Sequence, residues 1–520
     1  MNQAGFPLLS VLTFLPLVGV IVIMSVRGDE ATVASNARWT ALWTSLVVFV
    51  LSLLLWFDFD KSQAGFQFNE VLTWLPQYGV DYRMGVDGIS IMFVLISTAL
   101  TPIAILSAWR GAGGRVREYM IAFLVMETMM IGLFSALDFI LFFVFFEGVL
   151  IPMFIIIGVW GGERRLYAAI KFFLFMFAGS MLMLLGILAL WFHDGTTSIP
   201  AMMHMPLPPH LQFWLFLAFL AAFAVKIPIW PVHTWLLDAH REAPIAGSVL
   251  LAGVLANMGG YGFLRFSVPL LPDASQHFAP LMFTLGVVAV IYTSIAALVQ
   301  RDLLKLVAYS SIGHMAIAVI GIFTFNVQGI EGSLFRMLSH GFITAALFLC
   351  VGVLMDRTKS QSLDAFGGVV HRMPFYALLF MIFAMGTVGL PGTAGFIGEI
   401  LVIVGALKVN FWVAVLTGTT LILSAVYTLV MYRRVVFGTL VRPELKHLTD
   451  LGGREIAMLV PLVVLTLWMG LYPSSFSTFF DATATAMANQ HALALAGSGG
   501  AHLAAATGMI TPSPMIGGTN

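Results

Sequence analysis

One pattern runs through this chain from its first residues to beyond residue 470: uninterrupted apolar stretches, each of about 20 residues, the length of helix that crosses a hydrocarbon layer of about 30 Å. In lipid every backbone N–H and C=O must find its partner inside the protein, so only helices and closed barrels span. A barrel would alternate apolar and polar residues in short segments. Here the apolar runs are continuous, which sets the fold class as an all-α polytopic membrane protein. Composition agrees. The chain is 60% hydrophobic and 10% charged, where soluble domains are about a quarter charged, and its mean hydropathy is +0.97.

About fourteen spans are expected, near 6–26, 37–57, 87–109, 117–136, 139–160, 166–193, 211–240, 244–267, 277–299, 303–325, 329–355, 375–404, 411–438 and 455–476. Lys and Arg separate between alternate loops, 18 against 4, with Lys171, Lys226 and Arg336 inside spans. By the positive-inside rule the rich side is cytoplasmic and both termini are periplasmic. The seventh and twelfth spans are interrupted, by KIPIWP and by GLPGTAGF, whose prolines Pro228 and Pro391 stand 163 residues apart. The same offset carries spans four to eight onto nine to thirteen. Five is odd, so the second copy enters the bilayer from the other side. Inverted repeats with a broken helix in each half are an architecture that moves ions. The expected organisation is spans one to three (1–116), a first repeat (117–267), a second repeat (277–438), a last span (439–479) and an Ala/Gly-rich tail (480–520).

Formal net charge is +0, so no field calls for nucleic acid. A single cysteine, Cys350, excludes a disulfide within the chain and a cysteine-ligated cluster. No GxGxxG or phosphate loop is present, and no HExxH. His233 and His240 are too far apart for an i,i+4 metal pair. Neither cofactor nor metal is expected. The N-terminus lacks a basic region and a clean cleavage site, and reads as a retained first helix.

Chemistry is sought among the groups that cost most to bury. A lysine at mid-membrane costs roughly 2.5–3.5 kcal/mol. Lys226 stands just before Pro228 and Pro231, where missing N–H groups free carbonyls that survive only in protein or beside water. Glu147 follows eight uncharged residues, Phe139 to Phe146. It needs a partner or a proton, and beside Lys226 it would form a pair whose weakening releases a proton from the lysine. Glu399 lies just beyond the second break. His314 and His340, near Ser310, Ser311 and Ser339, can carry protons either way. His233, after the first break, Lys305, at the start of span ten, and Glu127, within span four, complete the titratable candidates. Glu127 and Lys171 are placed to neutralise each other or to tune the Glu147–Lys226 pair. A static salt bridge, a proline kink and packing histidines are the bland readings of the same residues.

LLAGVLANMGGYGFLRF, VHTWLLDAHREAPIAGSV, ALDFILFFVFFEGVLIPMF, GVDGIS, AYSSIGHM and GLPGTAGFIGE together resemble the antiporter-like subunits of proton-pumping NADH:quinone oxidoreductase, most closely its M type, up to about residue 476. The resemblance implies fourteen helices in two inverted five-helix repeats, a Glu147–Lys226 pair, and a hydrophilic axis through His314 and His340 to Glu399. It implies sister antiporter-like subunits on both sides and lipids as partners, a bacterial inner membrane, and no redox cofactor in this chain: NADH, flavin, iron–sulfur clusters and quinone belong to other subunits. One position departs. Where the family reads LLKMGGYG this chain has LANMGGYG, so Asn257, an amide that cannot hold a proton, takes the place of the middle lysine. The D-type subunit of a multisubunit sodium/proton antiporter, its near relative in membrane hydrogenases, and a non-pumping membrane-arm scaffold are the alternatives.

Overall fold

The structure is a computed structural model that describes residues 6–497 except 112, 204 and 441–442. Its helices are α1 (Leu8–Ser25), α2 (Glu30–Asp58), α3 (Ser90–Ser107), α4 (Val116–Ser135), α5 (Phe139–Trp160), α6 (Arg165–Asp194), α7 (Pro209–Lys226), α8 (Thr234–Glu242) and α9 (Ile245–Leu270). They continue with α10 (Pro272–Leu298), α11 (Leu303–Ile322), α12 (Val327–Thr358), α13 (Pro374–Val388), α14 (Ala394–Val409), α15 (Phe411–Val436), α16 (Gly453–Leu471) and α17 (Ser474–Gly497). Thirteen of these are long and apolar enough to cross a membrane. A fourteenth crossing is made by α13 and α14 in sequence, each too short alone, just as α8 completes the crossing that α7 begins. The chain is therefore a multi-pass helical membrane protein.

The repeat is visible in the helix ends. Shifted by 163, the bounds of α4 to α9 fall within a few residues of those of α10 to α15, except at the start of α10. Finer details recur as well. Asp138 caps α5 through the amides of Ile140 and Leu141, and Asp302 caps α11 through that of Lys305. Each capping residue also makes an isolated antiparallel bridge, Asp138 to Ser198 and Asp302 to Ser362. An odd number of crossings separates the two, so they lie at opposite ends of the bundle. The centre of the molecule is α9 and α12, whose apolar windows are wholly buried. α9 lies where the two halves meet and carries two π-helical turns, Leu251–Leu255 and Phe263–Ser267, flanking Asn257.

Four features depart from the sequence reading. The stretch between the second and third spans is a β-hairpin, β1 (Gln67–Leu75) with β2 (Val80–Val86), turned by Pro76–Tyr78 and by Gly79 at φ 66°. Its Glu70 accepts from the amides of Leu9 and Ser10 at 2.7 and 3.0 Å and so caps α1, which has no local cap of its own. α2 begins at Glu30, capped by Asp29, seven residues before the expected start at 37. The hydroxyl of Thr32 donates to Asp29 and holds its carboxyl below the usual range. α5 is irregular at Val149, because Pro152 cannot donate to the carbonyl of Gly148 one turn back. Finally, the last span ends at Leu471, and the first part of the expected tail is a helix, α17. Pro473 starts it, and Phe476, Phe479 and Phe480 dock it: ring centroids lie 5.6 and 4.4 Å from Trp56 for the first two and 5.1 Å from Phe335 for the third. Residues 498–520 of that tail, and Arg442 among the counted cations, lie outside the described residues.

Hairpin and α17 share one end of the bundle, the end poor in Lys and Arg. Beside them Arg265, at the end of α9, holds Asp87 with two bonds of 2.8 and 2.6 Å, both side chains buried. Asp87 in turn accepts from the amides of Ile89 and Ser90 and starts α3.

Candidate functional site

The first cluster is built by the break after α7. Pro228 has no N–H for the carbonyl of Ala224, so Ile229 donates there instead, at 2.9 Å. That leaves the carbonyl of Val225 free, and the indole of Trp235 on α8 takes it at 3.1 Å. The helix thus stops at Lys226 with the carbonyls of Ala224 and Val225 satisfied and its ammonium turned inward, 1% exposed. Nζ donates to the carbonyl of Phe146 at 3.3 Å and stands 4.1 Å from the centre of the Phe146 ring. Glu147 is the next residue. Its Oε1 accepts from the hydroxyl of Ser180 on α6, and its Oε2 has no hydrogen-bond partner. Lys226 and Glu147 interact electrostatically but are not in ion-pair contact. The ammonium sits on the backbone beside the carboxylate, a separated pair rather than a closed bridge.

The second cluster is built by the break between α13 and α14. Gly389 takes φ 78° at the end of α13, and a Cβ there would lie 2.5 Å from Glu399 Oε2. At Gly398 a Cβ would come within 2.6 Å of the amide of Arg336, so glycine is what lets α14 close on α12. Glu399, fully buried, then meets Arg336 at 3.2 Å and His314 Nδ1 at 3.4 Å. The other ring nitrogen of His314 faces the hydroxyl of Tyr427 at 3.1 Å, which bonds Ser310 at 2.8 Å. His340 Nε2 meets Ser311 at 2.8 Å, on the helix that carries His314. Arg336, Glu399, His314, Tyr427 and Ser310 form one buried polar cluster across α11, α12, α14 and α15, and the His340–Ser311 pair stands beside it.

Asn257 stands between the clusters. Its amide nitrogen donates to Gly253 at 2.9 Å, and its Oδ1 is buried with no partner. It packs on Gly341, the neighbour of His340, where a Cβ would lie 3.4 Å from Asn257 Nδ2. The remaining candidates lie apart. Glu127 is fully buried in α4 with both carboxyl oxygens unpartnered. It is not neutralised by Lys171, contrary to the sequence expectation: Lys171 pairs with Asp238 on α8 at 2.7 Å and also donates to the carbonyl of Thr234. A partly exposed cation on α6 takes an acid at its own level, and α8 supplies one. His233 is buried in the break, edge-on to Tyr292 at 5.7 Å. Lys305, in the first turn of α11 and partly exposed, makes no ion pair among the described residues. Among these residues no cluster of three or more His, Cys, Asp or Glu could hold a metal.

Sequence reasoning passed over Arg336, Tyr427, Asp238 and Ser180. The signal for Arg336 was present. It is one of three cations inside spans, and the cost of a charge in lipid that demands a carboxylate for Lys226 demands one for Arg336 too. Tyr427 and Ser180 carry no such signal, because a hydroxyl inside an apolar helix is affordable alone.

The family model described as "NADH:quinone oxidoreductase/Mrp antiporter, TM" matches residues 136–424, which includes both breaks. The chain is 53% identical over 481 residues to NADH-quinone oxidoreductase subunit M of Rhodobacter capsulatus, covering 90% of this chain and 93% of that one. It is 46% identical over 469 residues to NADH-ubiquinone oxidoreductase chain 4 of Marchantia polymorpha, covering 90% and 94%. Among solved structures, a chain of respiratory complex I from Thermus thermophilus superposes with a TM-score of 0.85 at 30% identity, over 93% of this chain and 99% of that one.

Proposed function

Since this chain belongs to the NADH:quinone oxidoreductase/Mrp antiporter membrane family, and within it to the subunit M type, we propose that it is the proton-translocating M subunit in the membrane arm of an NADH:quinone oxidoreductase. The observation that carries the reading is that each helix break brings a buried cation to an intramembrane carboxylate: Lys226, on the carbonyl of Phe146, beside Glu147, and Arg336 against Glu399. The identity to subunit M over nearly its whole length favours this over the antiporter D subunit. Electron transfer from NADH to quinone is assigned to other subunits, and sister antiporter-like subunits flank this one. The membrane is a bacterial inner membrane, with the Lys/Arg-rich end in the cytoplasm and the hairpin and both termini outside.

The two pairs differ in what can move. Lysine can give up its proton, so in the first half the mobile proton belongs to Lys226, and the strength of its attraction to Glu147 decides whether it stays. Arginine keeps its charge. In the second half the mobile proton therefore belongs to Glu399 and His314, while Arg336 is a fixed counter-charge. The proton crosses at the level of Asn257, whose amide can order water but hold no proton. Each transferred charge must be driven against about 2.3 kcal/mol per 100 mV, a size that modest changes in pairing at low dielectric supply.

The test is proton uptake into the lumen per NADH oxidised in inverted membrane vesicles. Lys226→Ala and Glu147→Ala in the assembled complex are expected to cut that ratio strongly. A normal ratio in both would leave a scaffold.

A further inference from the structure

His240 is the second histidine of WLLDAHREAP and takes no part in the clusters above. It lies on α8, fully buried, with both ring nitrogens lacking a hydrogen-bond partner. Its ring is stacked on Phe348 of α12, centroids 4.3 Å apart and planes at 18°. On one side solvent lies one residue away. A cavity of about 270 Å³ opens at the Lys/Arg-rich end between α3, α8, α9, α12 and α16, and its lining includes Arg241 and Glu242, the chain neighbours of His240, and Leu349, the neighbour of Phe348. On the other side the second cluster begins two helical turns away along α12. Phe348, Thr344 and His340 are spaced four residues apart on one face of α12, about 12 Å from end to end. α9 lies along the same face, Ile245 beside Gly352 and Gly253 beside Gly341. This sets Ser248 at the level of Phe348 and Asn257 near His340. Ser248 Oγ, Asn257 Oδ1 and His340 Nδ1 are all buried without a partner. Buried polar atoms in that condition are ordinarily satisfied by internal water.

We propose that His240 is a proton-carrying residue that joins the cavity at the Lys/Arg-rich end to the His340–Ser311 pair, feeding the second half without passage through Lys226. Internal water carries a proton from the cavity to one ring nitrogen, and the other nitrogen releases one to water beside Ser248 and Thr344, which passes it to His340 Nδ1. One proton enters and one leaves, and the ring ends as the other neutral tautomer, reset by a flip. The route supplies what Asn257 withholds: a titratable group at the junction of the halves. It rests on the function proposed above.

The test uses the assembled complex in inverted vesicles, with complex content measured in every variant and Lys226→Ala run alongside. His240→Phe, and His240→Gln in case the aromatic packs badly, are expected to lower the proton-to-electron ratio by about twofold or more, as when a titratable carrier is replaced by one that cannot titrate. Adding Asn257→Lys is expected to restore much of the loss. A normal ratio in His240→Gln would make His240 a packing or hydrogen-bonding residue and overturn the proposal, as would a loss that Asn257→Lys leaves unchanged. If Lys226→Ala also pumps normally, the general reading has failed; if only the His240 variants do, this one has.

Discussion

At the scale of single residues, the strongest constraint is charge in a medium that cannot solvate it. Arg336 and Glu399 are both fully enclosed, so neither can lose the other cheaply. Breaking such a pair from one side costs about 3–5 kcal/mol, because the survivor is left uncompensated. Arg336→Leu is therefore expected to reduce the amount of assembled complex, and Arg336→Leu with Glu399→Leu to restore assembly but not pumping; native-gel yield and vesicle acidification read the two effects apart. A smaller effect is expected at Trp235, whose indole holds the Val225 carbonyl. Trp235→Phe leaves that carbonyl unpaired at about 1–3 kcal/mol, lowering the thermal midpoint of the purified complex. The sequence discloses this class of residue well. Lys226, Glu147 and Glu399 are legible because an ion in an apolar run has no bland solvated state. Tyr427 and Ser180 are not, since hydroxyl groups inside helices raise no alarm until the opposite helix is known.

At the scale of elements, the apolar runs and the proline breaks determine where helices start and stop, and the structure's ends follow them closely. What the runs do not reveal is structure built outside the lipid. The hairpin is read as a gap because its strands are short and lie beside hydrophobic spans many times their signal. α17 is missed because an Ala-rich stretch too polar for a membrane reads as a tail. Its docking hangs on a glycine. A Cβ on Gly88 would collide with the backbone carbonyl of Phe479. Gly88→Ala is expected to cost about 1–3 kcal/mol of overpacking and to loosen α17, seen as faster proteolysis between Leu471 and Ser474, whereas Gly418→Ala, with open space around it, is expected to change nothing.

At the scale of the molecule, the arrangement predicts sidedness. A reporter enzyme that works only outside the cytoplasm should be active when fused after residue 497 and inactive after residue 372; the reverse pattern would turn the protein over in its membrane. The twin bridges, Asp138–Ser198 and Asp302–Ser362, show how complete the inversion of the halves is. Two copies related by an axis in the membrane plane carry backbone dipoles whose components along the normal are equal and opposite. The shared scaffold is thus blind to the sign of an applied voltage. Whatever polarity this subunit has must come from the positions where its copies disagree, above all an amine that can discharge in one and a guanidinium that cannot in the other.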